Sequence, residues 1–203
     1  MNGAPTIEWT LPMLIIAAVA IVSIMAWIIK PMKRAFILHP YSVRHGGQVH
    51  RLFTAGWVHA DTSHLVFNMF TLYFFANEAM RALGPVRFLV LYMTAVVVGF
   101  VPTTLRHMNN PKYASLGASG AVAAVMFSAI LLFPKLKLSL LFLPIAVPGM
   151  IYALAYLAYS AWHSWRAKDG VNHDAHFGGA IYGALLTYAF EPARVEATIR
   201  GFF

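Results

Sequence analysis

The chain has 203 residues, of which 60% are apolar and 11% charged, and its mean hydropathy is +0.66. That is more apolar surface than a soluble domain of this size can hide, so the bilayer is its solvent. Fifteen Lys and Arg stand against seven Asp and Glu, in short stretches between apolar blocks, which reads as interfacial anchoring and not as a nucleic-acid surface. With no cysteine, disulfides, a thiolate nucleophile and Cys-held zinc or iron–sulfur centres are excluded.

Residues 1–10 hold no Lys or Arg, so the positive region of a cleaved signal peptide is missing and the first apolar segment is expected to stay. A bilayer crossing takes about 20 mostly apolar residues in a helix that satisfies its own backbone. Six segments approach that length, at 11–29, 63–82, 86–106, 118–133, 148–165 and 175–190. They predict an all-α polytopic membrane protein, a six-transmembrane-helix bundle forming one domain over 1–203. The first connection, 30–62, is the longest and is rich in His and Arg. Residues 110–116 are mixed enough for a loop that dips below the membrane surface, which irregular backbone tolerates only against protein or a water-filled cavity. The apolar run 138–147, punctuated by prolines, reads as interfacial or partly embedded. Pro148 and Gly149 read as a span boundary, with a hinge as the alternative.

The chemistry begins at Gly117-Ala118-Ser119-Gly120, where the fourth span opens. A helix N-terminus leaves backbone N–H groups unpaired and partially positive, ready to receive an oxyanion. Glycines on both sides of Ser119 let a substrate backbone approach the hydroxyl. Taken alone, such a tetrapeptide is more often ordinary small-residue helix packing. His176 changes that balance, because a titratable residue inside a span is expensive and marks a functional site by default. His176, Gly179, Gly183 and Thr187 share one helix face, and Gly120 and Ala124 offer a matching small face on the fourth span. The two helices can then come close enough for a Ser119–His176 dyad, in which His176 takes the serine proton and returns it to the leaving amine. Asp174, two residues before His176, points elsewhere on the helix. His64 and Asn68, four apart at the head of the second span, can together donate hydrogen bonds to a developing oxyanion. By itself that pair reads as a helix-start histidine and a buried asparagine.

With these residues in place, the chain resembles a rhomboid intramembrane serine protease of the minimal six-helix bacterial type. Rhomboids carry His-x-x-x-Asn, Gly-x-Ser-Gly and Ala-His-x-x-Gly-x-x-x-Gly on helices two, four and six, matched here by His64/Asn68, Gly117 to Gly120 and Ala175 to Gly183. The resemblance implies Ser119 as nucleophile and His176 as general base. It implies an oxyanion hole of His64, Asn68 and the Ser119 N–H. His59 and Arg51 match family positions with structural roles, as do Gly117, Gly120, Gly179 and Gly183. The implied reaction is hydrolysis of peptide bonds in or near transmembrane segments, through an acyl-enzyme and with no metal or organic cofactor. The implied partners are transmembrane protein substrates and the lipid bilayer. The implied location is the cell inner (plasma) membrane, with the N-terminus cytoplasmic and the site opening outward.

This chain departs from the family in two places. Where the family often has a Glu four residues before a Gly after helix two, Met80 precedes Gly84, and Glu78 is displaced by two. The loops that the family topology puts outside hold nine Lys and Arg, against six for those inside, a bias opposite to the positive-inside rule. The first connection is its main source. The runner-up function is a catalytically silent rhomboid-like protein that binds membrane clients. A metal or haem site on His59/His64 or His173/Asp174/His176 lacks the residues to complete a coordination sphere. No His-Glu-x-x-His and no pair of intramembrane aspartates supports another protease class, and no substrate pathway supports a transporter.

Overall fold

The computed structural model describes residues 10–139, 146–166 and 170–202. The chain is mostly helical. α1 (Leu11–Ile28) leads into a first connection built of short helices, α2 (Lys30–Phe36), α3 (Pro40–Gly46) and α4 (Arg51–Thr54), each of the first two with a proline in its opening turn. α5 (Thr62–Val98) and α6 (Val101–His107) follow, then α7 (Ser119–Leu132). A hairpin of β1 (Lys137–Ser139) and β2 (Ala146–Pro148) pairs antiparallel, with Leu138 opposite Val147. α8 (Gly149–Arg166), α9 (His173–Phe190) and α10 (Pro192–Phe202) complete the chain. The hairpin takes up the ends of the run expected at the interface; its middle, 140–145, lies outside the described residues.

α5 is two helices joined at Gly84–Pro85. Gly84 has φ 76° and ψ 163°, a conformation that only glycine adopts without strain, and Pro85 has no N–H with which to continue the preceding helix. The halves run in opposite directions: His64 and Gly99 both meet the start of α7, whereas Arg87 at the other end reaches Glu191. Arg194 of α10 closes that far end by donating to the carbonyls of Ala82 and Leu132, C-terminal carbonyls that a helix leaves unsatisfied. Glu78, displaced from its family position, pairs with Arg81.

Among the described residues, two helical runs are long and apolar enough to cross a membrane, Leu11–Ile28 with mean hydropathy 2.6 and Thr62–His107 with 2.0, and Ser119–Leu132 is a shorter apolar helix. Every residue of α7 except Ser119 is buried, so α7 is the axis of the bundle. Its 14 residues rise about 21 Å, less than a bilayer's hydrocarbon thickness of about 30 Å.

α7 and α9 meet backbone to backbone. A Cβ on Gly179 would collide with the Gly120 carbonyl, and one on Gly183 with the Ala124 backbone. Gly120 itself has the Ala175 carbonyl at 3.0 Å and the Cα of Gly99 at 3.4 Å from its Cβ position. The small-residue faces expected from spacing are those in contact, because in lipid the gain from packing comes from close approach.

Candidate active site

A cavity of about 1100 Å³ opens at the Ser119 end of the bundle, and Ser119, His176, His64 and Asn68 all line it. Ser119 is the first residue of α7, so its own N–H is among those without an intrahelical partner. His176 lies in the first turn of α9, with the Tyr156 ring centroid 6.1 Å away and that of His173 at 5.8 Å. The contact of Gly120 with Ala175 and Gly179 sets how far apart the two helix starts are, and hence the reach between Ser119 and His176.

His64 packs onto Gly117. A Cβ there would stand 2.6 Å from the imidazole Cε1, and Gly117 has φ 119°, so both space and backbone require glycine. Asn68 donates one amide hydrogen to the His64 carbonyl at 2.8 Å, and an amide carries two such donors. The helix that presents this pair is capped by Asp61, whose carboxylate accepts from Ser63 Oγ at 2.6 Å and from the His64 N–H at 2.9 Å. Those two bonds, the Ser63 hydroxyl foremost, hold the Asp61 carboxyl below its ordinary range.

The backbone leading to Ser119 is clamped by the first connection. Leu38 and Ser115 form an antiparallel bridge, with N–H to carbonyl distances of 2.9 and 3.0 Å. Gly117 N–H donates to the Ala55 carbonyl at 2.9 Å. Ala118 N–H donates to His59 Nε2 at 3.2 Å. Because Nε2 accepts, the neutral ring carries its hydrogen on Nδ1, which donates to Ser23 Oγ at 2.9 Å, and Ser23 in turn donates to the Trp57 carbonyl at 3.1 Å. Trp27 adds a bond to the His59 carbonyl at 2.8 Å. Burial, with the neighbouring His64 next, pushes the His59 pKa down to about 3 against the pull of Asp61, so the ring stays neutral. Arg51 holds the connection together by donating to the carbonyls of Arg34 and Ile37 at 2.8 and 2.7 Å.

Several site residues do not stand out in the sequence. Asn172 caps α9 by accepting from Ala175 N–H at 3.0 Å, while taking a bond from Thr103 and giving one to Ser115 Oγ at 2.8 Å. Its position just before the helix is the signal that could have marked it. Arg106 of α6 pairs with the buried Asp174 at 2.6 Å, and Ser164 of α8 donates to the same carboxylate. Asp174 is thus committed to α6 and α8. The rings of His163 and His173 lie 5.2 Å apart on the cavity wall, and among the described residues no three His, Asp or Glu converge as metal ligands do.

These features define a helical membrane protein with a serine and a histidine at two helix starts sharing one cavity. Residues 46–192 match the Rhomboid domain, and the chain belongs to the rhomboid family. It is similar to RHOMBOID-like protein 12, mitochondrial, of Arabidopsis thaliana, with 32% identity over 68% of this chain and 46% of that protein. It is also similar to Rhomboid protein 1, mitochondrial, of Saccharomyces cerevisiae, with 34% identity over 66% of this chain and 40% of that protein. A third relative is the Presenilin-associated rhomboid-like protein, mitochondrial, of Mus musculus, with 30% identity over 66% of this chain and 36% of that protein. The chain spans less than half the length of each. All three are mitochondrial by name, which corrects the expectation of a cell inner (plasma) membrane location.

Proposed function

We propose that the protein is an intramembrane serine endopeptidase whose Ser119 and His176 cleave peptide bonds in or near transmembrane segments of other membrane proteins. The observation that carries this reading is the shared cavity: Ser119 and His176 open onto the same space from helix starts fixed by glycine-to-backbone contact. In this reading the chain crosses the membrane six times, by α1, the two halves of α5 with α6, α7, α8 and α9; the apolar runs Leu11–Ile28, Thr62–His107 and Ser119–Leu132 support it. The relatives' names make a mitochondrial membrane the setting.

In this mechanism Ser119 Oγ attacks the scissile carbonyl carbon as His176 accepts its proton. The oxyanion takes hydrogen bonds from the Ser119 N–H, Asn68 and His64. Collapse breaks the C–N bond, His176 delivers its proton to the amine, and an acyl ester remains on Ser119. Water, deprotonated by His176, then releases the acid and restores the serine. The substrate helix must unwind first, so segments rich in Gly and Pro are favoured.

The deciding experiment is cleavage of a single-span reporter by the purified protein in liposomes, with Ser119→Ala, His176→Ala and chelator arms. Both variants are expected to lose at least about 10⁴-fold in rate, with chelator inert. Cleavage retained by Ser119→Ala overturns the assignment of the nucleophile. A second reading, client binding without cleavage, draws on relatives named for association with presenilin. A folded wild type that retains membrane clients but cleaves none of several reporters would favour it.

A further inference from the structure

The first connection carries charge that the rest of the molecule does not balance. Between Glu8 and Asp61 there is no acidic residue, yet Lys30, Lys33, Arg34, Arg44 and Arg51 fall there. Elsewhere four arginines find carboxylates, Arg81 with Glu78, Arg87 with Glu191, Arg106 with Asp174, and Arg200 with Glu196, while Arg194 caps helix-end carbonyls and Arg166 lies over Trp162. Arg51 is used internally, and Arg44 donates to Asn109. That leaves Lys30, Lys33 and Arg34 of α2, where among the described residues the one side-chain bond is Lys33 Nζ to the Ala60 carbonyl at 3.4 Å.

Their placement is specific. They stand at i, i+3 and i+4, one face of α2. Lys30 comes two residues after the end of the membrane-crossing α1, the depth of lipid phosphates. Around them the surface is apolar: Ile28 is 75% exposed, and Ile29 and Phe53 are exposed as well. Phe53 belongs to α4, which Thr54 Oγ1 joins to the Phe36 carbonyl and Arg51 to that of Arg34. Cations interleaved with exposed apolar side chains at a helix end fit a charged interface over hydrocarbon better than a soluble acidic segment.

We propose that the Lys30, Lys33 and Arg34 face of α2 binds anionic phospholipid headgroups, with Ile28, Ile29 and Phe53 seated beside them in the interface. This goes beyond the cleavage reading and does not depend on it; it needs only that α1 crosses the membrane. The excess of positive charge at the Ser119 end then belongs to lipid contact and not to topology.

Because the chain has no cysteine, His50→Cys gives one labelling site on the connection. A donor dye there, in full-length protein reconstituted into phosphatidylcholine vesicles, reports energy transfer to trace labelled phosphatidylglycerol or labelled phosphatidylcholine. Phosphatidylglycerol is expected to be enriched, by about five-fold per cation engaged. The enrichment should vanish in Lys30→Gln/Lys33→Gln/Arg34→Gln and in about 0.5 M salt, and persist in Arg81→Gln/Arg200→Gln. An unchanged thermal midpoint certifies that the triple variant is folded. No enrichment in the unsubstituted face, or equal enrichment in the folded triple variant, overturns the proposal. So does a triple variant that keeps its lipid preference but stops binding an acidic juxtamembrane peptide, which would assign the face to protein.

Discussion

α7 and α8 are both apolar helices beside the same cavity, yet they are held in opposite ways. α7 is buried along its whole length after Ser119 and touches α9 through backbone. α8 buries only Gly149, Ala153 and Ser160 among its described residues, and it exposes Ile151, Leu154, Tyr159, Trp162 and Trp165. Polar bonds hold it near its ends, Gly149 N–H on the Leu136 carbonyl at 2.8 Å and Ser164 between Arg106 and Asp174, and Ala153 seats its middle against Ala123, Phe127 and Ala180. The first arrangement sets the distance between the helix starts that carry Ser119 and His176 and leaves no room for a larger side chain at Gly179 or Gly183. The second leaves a wall of the cavity that packs on α7 through one narrow stripe, Ala153 with Tyr152, Tyr156 and Leu157, and turns the rest of its surface outward.

The sharpest break of this contrast is Gly179→Val. Its Cβ meets the Gly120 carbonyl, so α9 must move off α7, with a loss of about 3 kcal/mol or more and loss of reporter cleavage. Thermal unfolding in detergent and cleavage rate check it together. An unaltered midpoint would mean that the glycine contact is not what fixes the dyad.

His59→Ala comes next, leaving the Ala118 N–H and Ser23 Oγ without their partner. A loss of about 1–3 kcal/mol is expected, with cleavage reduced because the backbone before Ser119 loosens. The same residue gives a pH test. Its pKa falls from 6.5 to about 3 in the fold, so between those values the unfolded chain binds the proton and the fold does not. The His59 contribution is complete above 6.5 and is lost as pH falls toward 3. Unfolding midpoints measured down that range should decline more steeply for wild type than for His59→Ala; parallel curves would refute this.

Asn68→Ala should reduce kcat by about 10²–10³-fold with a small change in midpoint, measured with the single-span reporter. Arg106→Gln should loosen α6 from both α8 and the start of α9, costing about 1–2 kcal/mol in the unfolding midpoint, between the exposed and buried limits for ion pairs. Smallest is Leu154→Ala on the exposed face of α8, within about 0.5 kcal/mol. A large effect there would mean that α8 is packed as tightly as α7.

The α7–α9 pairing was legible because small residues at i and i+4 leave a pattern that survives without any knowledge of the fold. Gly117 and the helix start at Ser119 were legible for the same local reason. The clamp on 115–118 was not. Apart from His59, which the resemblance had marked, it is made of backbone bonds from Leu38 and Ala55, and backbone donors and acceptors are the same for every residue type. Arg106 marked only the end of the third expected span, because nothing in the sequence ties it to Asp174, 68 positions later. The role of the first connection follows from that blind spot: its polar composition is visible, its partner is not.

The stretch that matches the family begins at residue 46, but two of the groups that hold the backbone before Ser119 lie upstream of it. Leu38 supplies one bridge, and Ser23 fixes the ring on which Ala118 N–H rests. The unit that similarity detects is therefore smaller than the unit that works. Someone trimming the chain to its recognisable boundaries would retain Ser119, His176, His64 and Asn68 and still remove Leu38 and Ser23, on which the backbone before Ser119 rests.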